Sequence, residues 1–384
     1  MGSITGGGTS ASGQNTERRY DLDWIRIFGM VTIFFYHCGR FFNLEDWHVK
    51  NNTLSPSISI ILYVLGIWMM PLFFMISAIS SYYSLTRRAP KQYILERFKR
   101  LIIPFIFGTF VFIVPVQVYI ERASHGQFEG SFIDFYPHYF DGLYALGGNF
   151  AWMGLHLWYL EFLFIFSMLT LSLFVIFMKK KSSDFIIHTF SFFTNPGAIF
   201  LLAIPLILIE IFVGQYRDDI GLQAFGGWSL LTYLVFFITG YFISLNSRFK
   251  DTIEKHRISA ILLATGITVV LILNYSYDIG AIDKYEDVLT AAASWCWLLA
   301  IFGFGSRHLT FNNAILKYAN EAVLPFYILH QTVIVIFGFW IMDWQLGVLV
   351  KYLLLSSISF VTIMLVYEFL IRRINVLRFL FGMK

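Results

Sequence analysis

The sequence predicts an all-α polytopic membrane protein with about ten transmembrane helices and cytoplasmic N- and C-termini. Three observations predict it. Of the 384 residues 57% are hydrophobic, 19% aromatic and only 14% charged, and mean hydropathy is +0.67, whereas a soluble domain carries about 25% charged residues. Apolar runs near the ~20 residues that a helical span needs recur at 22–42, 57–85, 101–120, 154–177, 197–214, 226–245, 258–275, 288–305, 322–342 and 346–371. Most of the 28 Lys and Arg fall in the segments that a cytoplasmic N-terminus would leave inside, while the opposite side holds Arg40, Lys50, Arg122, Arg217, Lys284 and Lys351. That bias orients membrane proteins positive-inside.

Residues 1–20 are Gly/Ser/Thr-rich and lack an apolar core, so they read as a flexible tail and not as a signal peptide. Residues 21–384 read as one membrane domain of ten helices. The first span contains Asp23, Arg26 and His37. Charged groups inside a bilayer are costly and usually functional. Arg26 and His37 are eleven residues apart, about 1100° of helix, which puts them on nearly one face and about 16 Å apart along the axis. Asp23, three residues before Arg26, is its nearest partner on that face. Cys38 adjoins His37 but points about 100° away.

The second span leads into the basic segment RRAPKQYILERFKR (87–100), in which Arg97 and Arg100 lie one turn apart just before the third span. Ordinary anchoring accounts for Arg87, Arg88 and Lys91, while Arg97 and Arg100 have the spacing to grip phosphates. A long outer loop, 121–153, is rich in Tyr, Phe, Gly and His. The fourth span opens with His156, Trp158 and Glu161, candidates for binding an acceptor or supporting the site. Acidic segments DDIG (218–221) and DIGAIDKYED (278–287) mark outer loops. The ninth span carries Pro325, expected to kink it, and His330, to which a packing or hydrogen-bonding role falls more readily than catalysis. Glu210 and Glu368 read as structural. Cys38 and Cys296, both in apolar runs, give no disulfide framework. No internal repeat or separate soluble domain is visible.

Four stretches carry a likeness: RYDLDWIRIFGMVTIFFYH (19–37), PLFFMISAISSYYSLTRRAPKQYILERFKRLIIP (71–104), LHLWYLEFLF (155–164) and ANEAVLPFYILHQ (319–331). Together they resemble membrane acyltransferase family 3, which has an Arg-x10-His signature in its first span and an Arg-x-x-Arg signature entering the third. The matching positions here are Arg26 with His37 and Arg97 with Arg100. Within the family the likeness is strongest to the glucan O-succinyltransferase type, on WHV (47–49), ERFKRLIIP, HLWYL and the ending YEFLIRRINVLRFLFG.

The resemblance implies an enzyme of the cell (inner) membrane that moves an acetyl or succinyl group from acyl-coenzyme A to a hydroxyl of an extracytoplasmic or lipid-linked glycan. The chemistry of the residues agrees. An imidazole with an ordinary pKa of about 6.5 suits proton removal from a hydroxyl, which points to His37. Arg26 would position the donor or stabilise developing charge, and Arg97 with Arg100 would hold the coenzyme A phosphates. Partners are then acyl-coenzyme A as substrate, a hydroxyl acceptor and membrane lipids, with no bound cofactor, metal or nucleic acid. The sequence has no P-loop, GxSxG, HExxH or clustered metal ligands. The rival class is a proton-coupled transporter or flippase, for which intramembrane Arg, His and Glu also fit; neither paired broken helices nor inverted halves are visible for it.

Overall fold

A computed structural model describes residues 18–213 and 225–383. The expected tail up to residue 17, Arg217 and the DDIG segment lie outside the described residues. The architecture is all-helical, with no strand among the described residues.

Helix α1 spans Tyr20–Arg40 and α2 Pro56–Leu85. A long third helix, α3, covers Pro90–Ser124. Then come α4 (Leu155–Leu169) and α5 (Leu171–Phe177), bent by 49°, and α6 (Phe185–Thr194) and α7 (Ala198–Val213), bent by 112°. Helix α8 is Leu230–Ser244, α9 Arg248–Tyr277, α10 Glu286–His308, α11 Ala314–Ile341 and α12 Val348–Ile371.

Local sequence explains the starts. Ser55, Ser229 and Asn313 cap α2, α8 and α11 by accepting the backbone N–H of Ile58, Thr232 and Leu316. Pro56 and Pro90 occupy first turns, where a missing N–H costs nothing. Pro325 does not interrupt α11, which runs on to Ile341.

Among the described residues, six helices are long and apolar enough to cross a membrane, or up to eight if each bent pair counts as one span. Length and composition thus support six to eight of the expected ten. Helix α1 is long enough, with 21 residues, but Asp23, Arg26 and His37 dilute its hydropathy. Helix α8 has only 15 residues, about 22 Å of rise. The bent pairs are a further departure, since broken helices were not visible in the sequence. The third helix starts before its apolar run does, at Pro90, so Arg97 and Arg100 lie in its first turns, as the helix start expected within 87–100 allows.

The core lies around α11, 72% of whose most apolar stretch is buried, against 28% for α9 and for α12. Helices α2 and α8 approach so closely that a Cβ at Gly240 would stand 2.6 Å from the Met75 carbonyl oxygen; small residues permit such contacts between membrane helices. The loop after α3 is tied to the end of that helix. Arg122 donates to Asn149 Oδ1 (2.9 Å) and to the Gly148 carbonyl (2.8 Å), and Asn149 Nδ2 donates to the His138 carbonyl (3.0 Å).

Positive-inside orientation predicts opposite sidedness for the exposed residues Glu129 and Ser247. Both native cysteines are buried, so the variants Glu129→Cys and Ser247→Cys give clean signals with an impermeant thiol reagent. Glu129→Cys should label from outside and Ser247→Cys only after permeabilisation. Labelling of both from one side would refute the orientation.

Candidate active site

Helix α1 begins with Asp21 and Asp23, acids placed where the helix dipole favours them. Asp23 accepts from Arg18 (2.8 Å) and pairs with Arg26 (3.4 Å). The Arg26 guanidinium also donates to Ser80 Oγ on α2 (3.0 Å). Its position in the span is thus supported by one carboxylate and one hydroxyl.

A π-helical turn, Phe98–Ile102, widens α3 directly after Arg97; such turns are frequent at functional sites. Arg97 donates to Ser81 Oγ (2.7 Å) and the Ser77 carbonyl (3.3 Å), and stands 5.2 Å over the Tyr93 ring. Arg88 pairs with Glu96. Arg100 makes no hydrogen bond or ion pair among the described residues.

These four arginines line one cavity of about 330 Å³, walled by α1, α2, α3, α4 and α11. Glu96 is the one carboxylate on its lining. Apolar side chains such as Met30, Phe73 and Leu163 form the remaining wall, with Tyr159, Asn320 and Tyr327 among them. Tyr159 shares a 2.7 Å hydrogen bond with Ser77. A confined space with four guanidiniums and one acid is built for a polyanion, because the guanidinium fork matches phosphate geometry.

The far end of the cavity reaches Ile33 and Tyr327, and two histidines lie just beyond. His37 follows Ile33 by one turn of α1, and its Nδ1 lies 3.0 Å from the Ile33 carbonyl and 3.1 Å from His330 Nε2. His330 Nδ1 is 2.6 Å from the Tyr327 carbonyl. A carbonyl only accepts, so His330 carries its proton on Nδ1 and can only accept at Nε2. That makes His37 Nδ1 the donor and leaves a lone pair on His37 Nε2. The Ile33 carbonyl accepts from the same nitrogen, so α1 and α11 together hold His37 in the tautomer whose Nε2 is unprotonated.

His156, also buried, packs its ring 5.2 Å from that of His330. It donates from Nε2 to the Ile328 carbonyl (3.1 Å) and accepts at Nδ1 from Gln117 (3.3 Å). Beyond it, Gln331 links Gln117 to His48 at 3.0 Å each way, and His48 donates to Glu121. Tyr144 donates to both Glu121 oxygens (2.9 and 2.8 Å). Burial, and then the Glu121 carboxylate, raise the Tyr144 phenol above its ordinary value, so it stays a donor.

The structure therefore brings Arg26, Arg97 and Arg100 to one cavity, with Asp23 supporting Arg26 and His37, His330 and His156 in edge-to-face contact past its far end. Two expected residues fall elsewhere. Trp158 is packed among Phe74, Phe225 and Tyr233. Glu161 is not on the cavity lining, and its buried Oε2 has no partner among the described residues. Glu210, hydrogen-bonded by Thr232 (2.5 Å), and Glu368, bonded by Arg372 and Tyr318, hold helices together. Sequence reasoning missed Tyr159, Asn320 and Tyr327, which sit inside the quoted stretches but have unremarkable residue types. It also missed the His48–Glu121 pair, whose members are 73 positions apart.

A family model described as an acyltransferase domain matches residues 19–368. Curated proteins named "Glucans biosynthesis protein C" are similar along nearly their whole length. The one from Salmonella paratyphi B (strain ATCC BAA-1250 / SPB7) is 24% identical, covering 96% of this chain and 95% of its own. The one from Salmonella schwarzengrund (strain CVM19633) is 25% identical with the same coverage. No solved structure matches the chain. With the family's model matching from the first span into the last, this chain belongs to acyltransferase family 3 and is an acyltransferase.

Proposed function

We propose that the protein is a membrane O-acyltransferase that carries an acetyl or succinyl group from cytoplasmic acyl-coenzyme A to a hydroxyl of an extracytoplasmic or lipid-linked glycan. One observation carries this reading: a four-arginine cavity runs along α1 from Arg26 to Ile33, and His37, with its Nε2 lone pair free, lies one turn further. The name of the relatives supports a glucan as acceptor.

The geometry divides the labour. Arg26 and His37 are about 16 Å apart along α1, so one reacting carbonyl cannot touch both. Arg26, Arg97 and Arg100 hold the phosphate end of the donor, and the pantetheine arm reaches toward His37. There His37 Nε2 takes the proton of the acceptor hydroxyl. The oxygen attacks the thioester carbonyl, a C–O bond forms, and the C–S bond breaks. The imidazolium then returns its proton to the departing thiolate, so coenzyme A leaves as the thiol. His330 positions His37 throughout. The inner-membrane location and a ten-span topology with both termini inside belong to this proposal.

Purified protein in detergent, given acetyl- or succinyl-coenzyme A and a glucan, should release thiol and acylate the glucan. No transfer with either donor would refute the reading. Replacement of His37 by Gln keeps hydrogen-bonding capacity but removes the base, and should lower turnover about 10²–10⁴-fold with donor affinity retained. Retention of more than a tenth of the parental rate would exclude His37 as the base.

Arg100→Ala tests the donor grip, because Arg100 has no partner in the fold to lose. Each charge-assisted contact is worth about 1.5–3 kcal/mol, so donor affinity should fall roughly 10- to 150-fold with the melting temperature unchanged or raised. Undiminished affinity would reduce the basic cluster to an orientation signal. His330→Leu should depress kcat while donor Kd stays put. A weakened donor and an intact kcat would show that His330 does not act through His37.

A further inference from the structure

Asn320 is the anomaly of the cavity. It lies on the wall formed by α11, and its Oδ1 and Nδ2 are both shielded from solvent with no hydrogen-bond partner among the described residues. An unsatisfied buried amide opposes folding at both its donor and its acceptor. Leucine has nearly the same shape and would avoid that burden. Asn320 is two turns before Tyr327, so it lies about 10 Å back along α11 from the far end of the cavity, on the arginine side.

The rest of the lining narrows what it could meet. Arginines only donate, and the hydroxyls of Ser80 and Ser77 are engaged by Arg26 and Tyr159. Asn320 offers a donor and an acceptor side by side, and the natural complement is another amide, with its N–H to Oδ1 and its C=O to Nδ2. Neighbouring Val323 and Leu324 are apolar and suit an alkyl chain on either side of such a group.

We propose that Asn320 is the recognition residue for an amide of the donor's pantetheine arm, read beside Arg26 where the arm leaves the phosphates, about 15 Å along α11 from His330. This rests on the acyl-coenzyme A reading above. It adds that the cavity selects pantetheine thioesters over thioesters of equal length that lack the amide.

The test compares parent and Asn320→Leu, full-length in detergent, with three probes. These are acetyl-coenzyme A, an analogue whose pantetheine amides are replaced by esters, and adenosine 3′,5′-bisphosphate, which reports the phosphate end alone. The parent should prefer acetyl-coenzyme A over the ester analogue roughly tenfold, the scale of one hydrogen-bonded pair in a buried site. In Asn320→Leu that preference should vanish, the bisphosphate should bind as before, and the free protein should melt at a higher temperature. Such a cycle isolates the pairwise contact. The inference is overturned if Asn320→Leu keeps the parental preference, or if the parent binds both thioesters alike. It is overturned too if the variant loses the bisphosphate equally. If the parent binds the bisphosphate but neither thioester, or binds none of the three, the donor reading fails and takes this one with it.

Discussion

The contact on which the site depends is the hydrogen bond between His37 on α1 and His330 on α11, 3.1 Å long. It joins two helices that line the same path. Helix α1 carries Arg26 and His37 with the apolar Ile33 between them, and α11 carries Asn320, Tyr327 and His330. A shift of one helix by a turn would break the imidazole pair. The bond also agrees with one protonation pattern: the Tyr327 carbonyl places the proton of His330 on Nδ1, and the Ile33 carbonyl together with His330 Nε2 places that of His37 on Nδ1. Helix register and imidazole tautomer are therefore one constraint.

Around that contact the molecule separates two tasks. Toward one end, arginines are held by hydroxyls, carbonyls and rings, with Arg100 left over. Toward the other, Gln117, Gln331 and His48 tie α3 and α11 to the loop that follows α1 and to the 121–153 segment. Many polar groups within the apolar bundle are satisfied in short chains; Arg100 and Asn320, which stand outside them, lie on the cavity wall.

Much of this was legible from the sequence, for identifiable reasons. The Arg26–His37 relation is intrahelical geometry, which spacing alone determines. Arg97 and Arg100 were legible as a pair for the same reason, on a helix start ahead of the apolar run: such a run marks where lipid begins, while Pro90 marks where the helix begins. His330 was visible as a buried ionisable residue, but which helix it would meet depends on tertiary packing, 293 positions distant. Trp158 and Glu161, the possible acceptor-binding or supporting residues beside His156, are off the cavity lining. They adjoin His156 in sequence, yet successive helical residues point in different directions, and only the histidine faces α11. Asn320 gave no signal because an asparagine becomes informative only when its surroundings supply no partner.

The segment after α3 has a consequence for diversification. It is anchored from α3, by Arg122 to Asn149 and Gly148 and by Tyr139 to the Thr109 carbonyl, while Ile133 and Leu146 stand exposed on its surface. Those surface side chains carry none of these bonds, so a lineage could exchange them while the anchors stay in place, much as interchangeable nozzles are fitted to one pump.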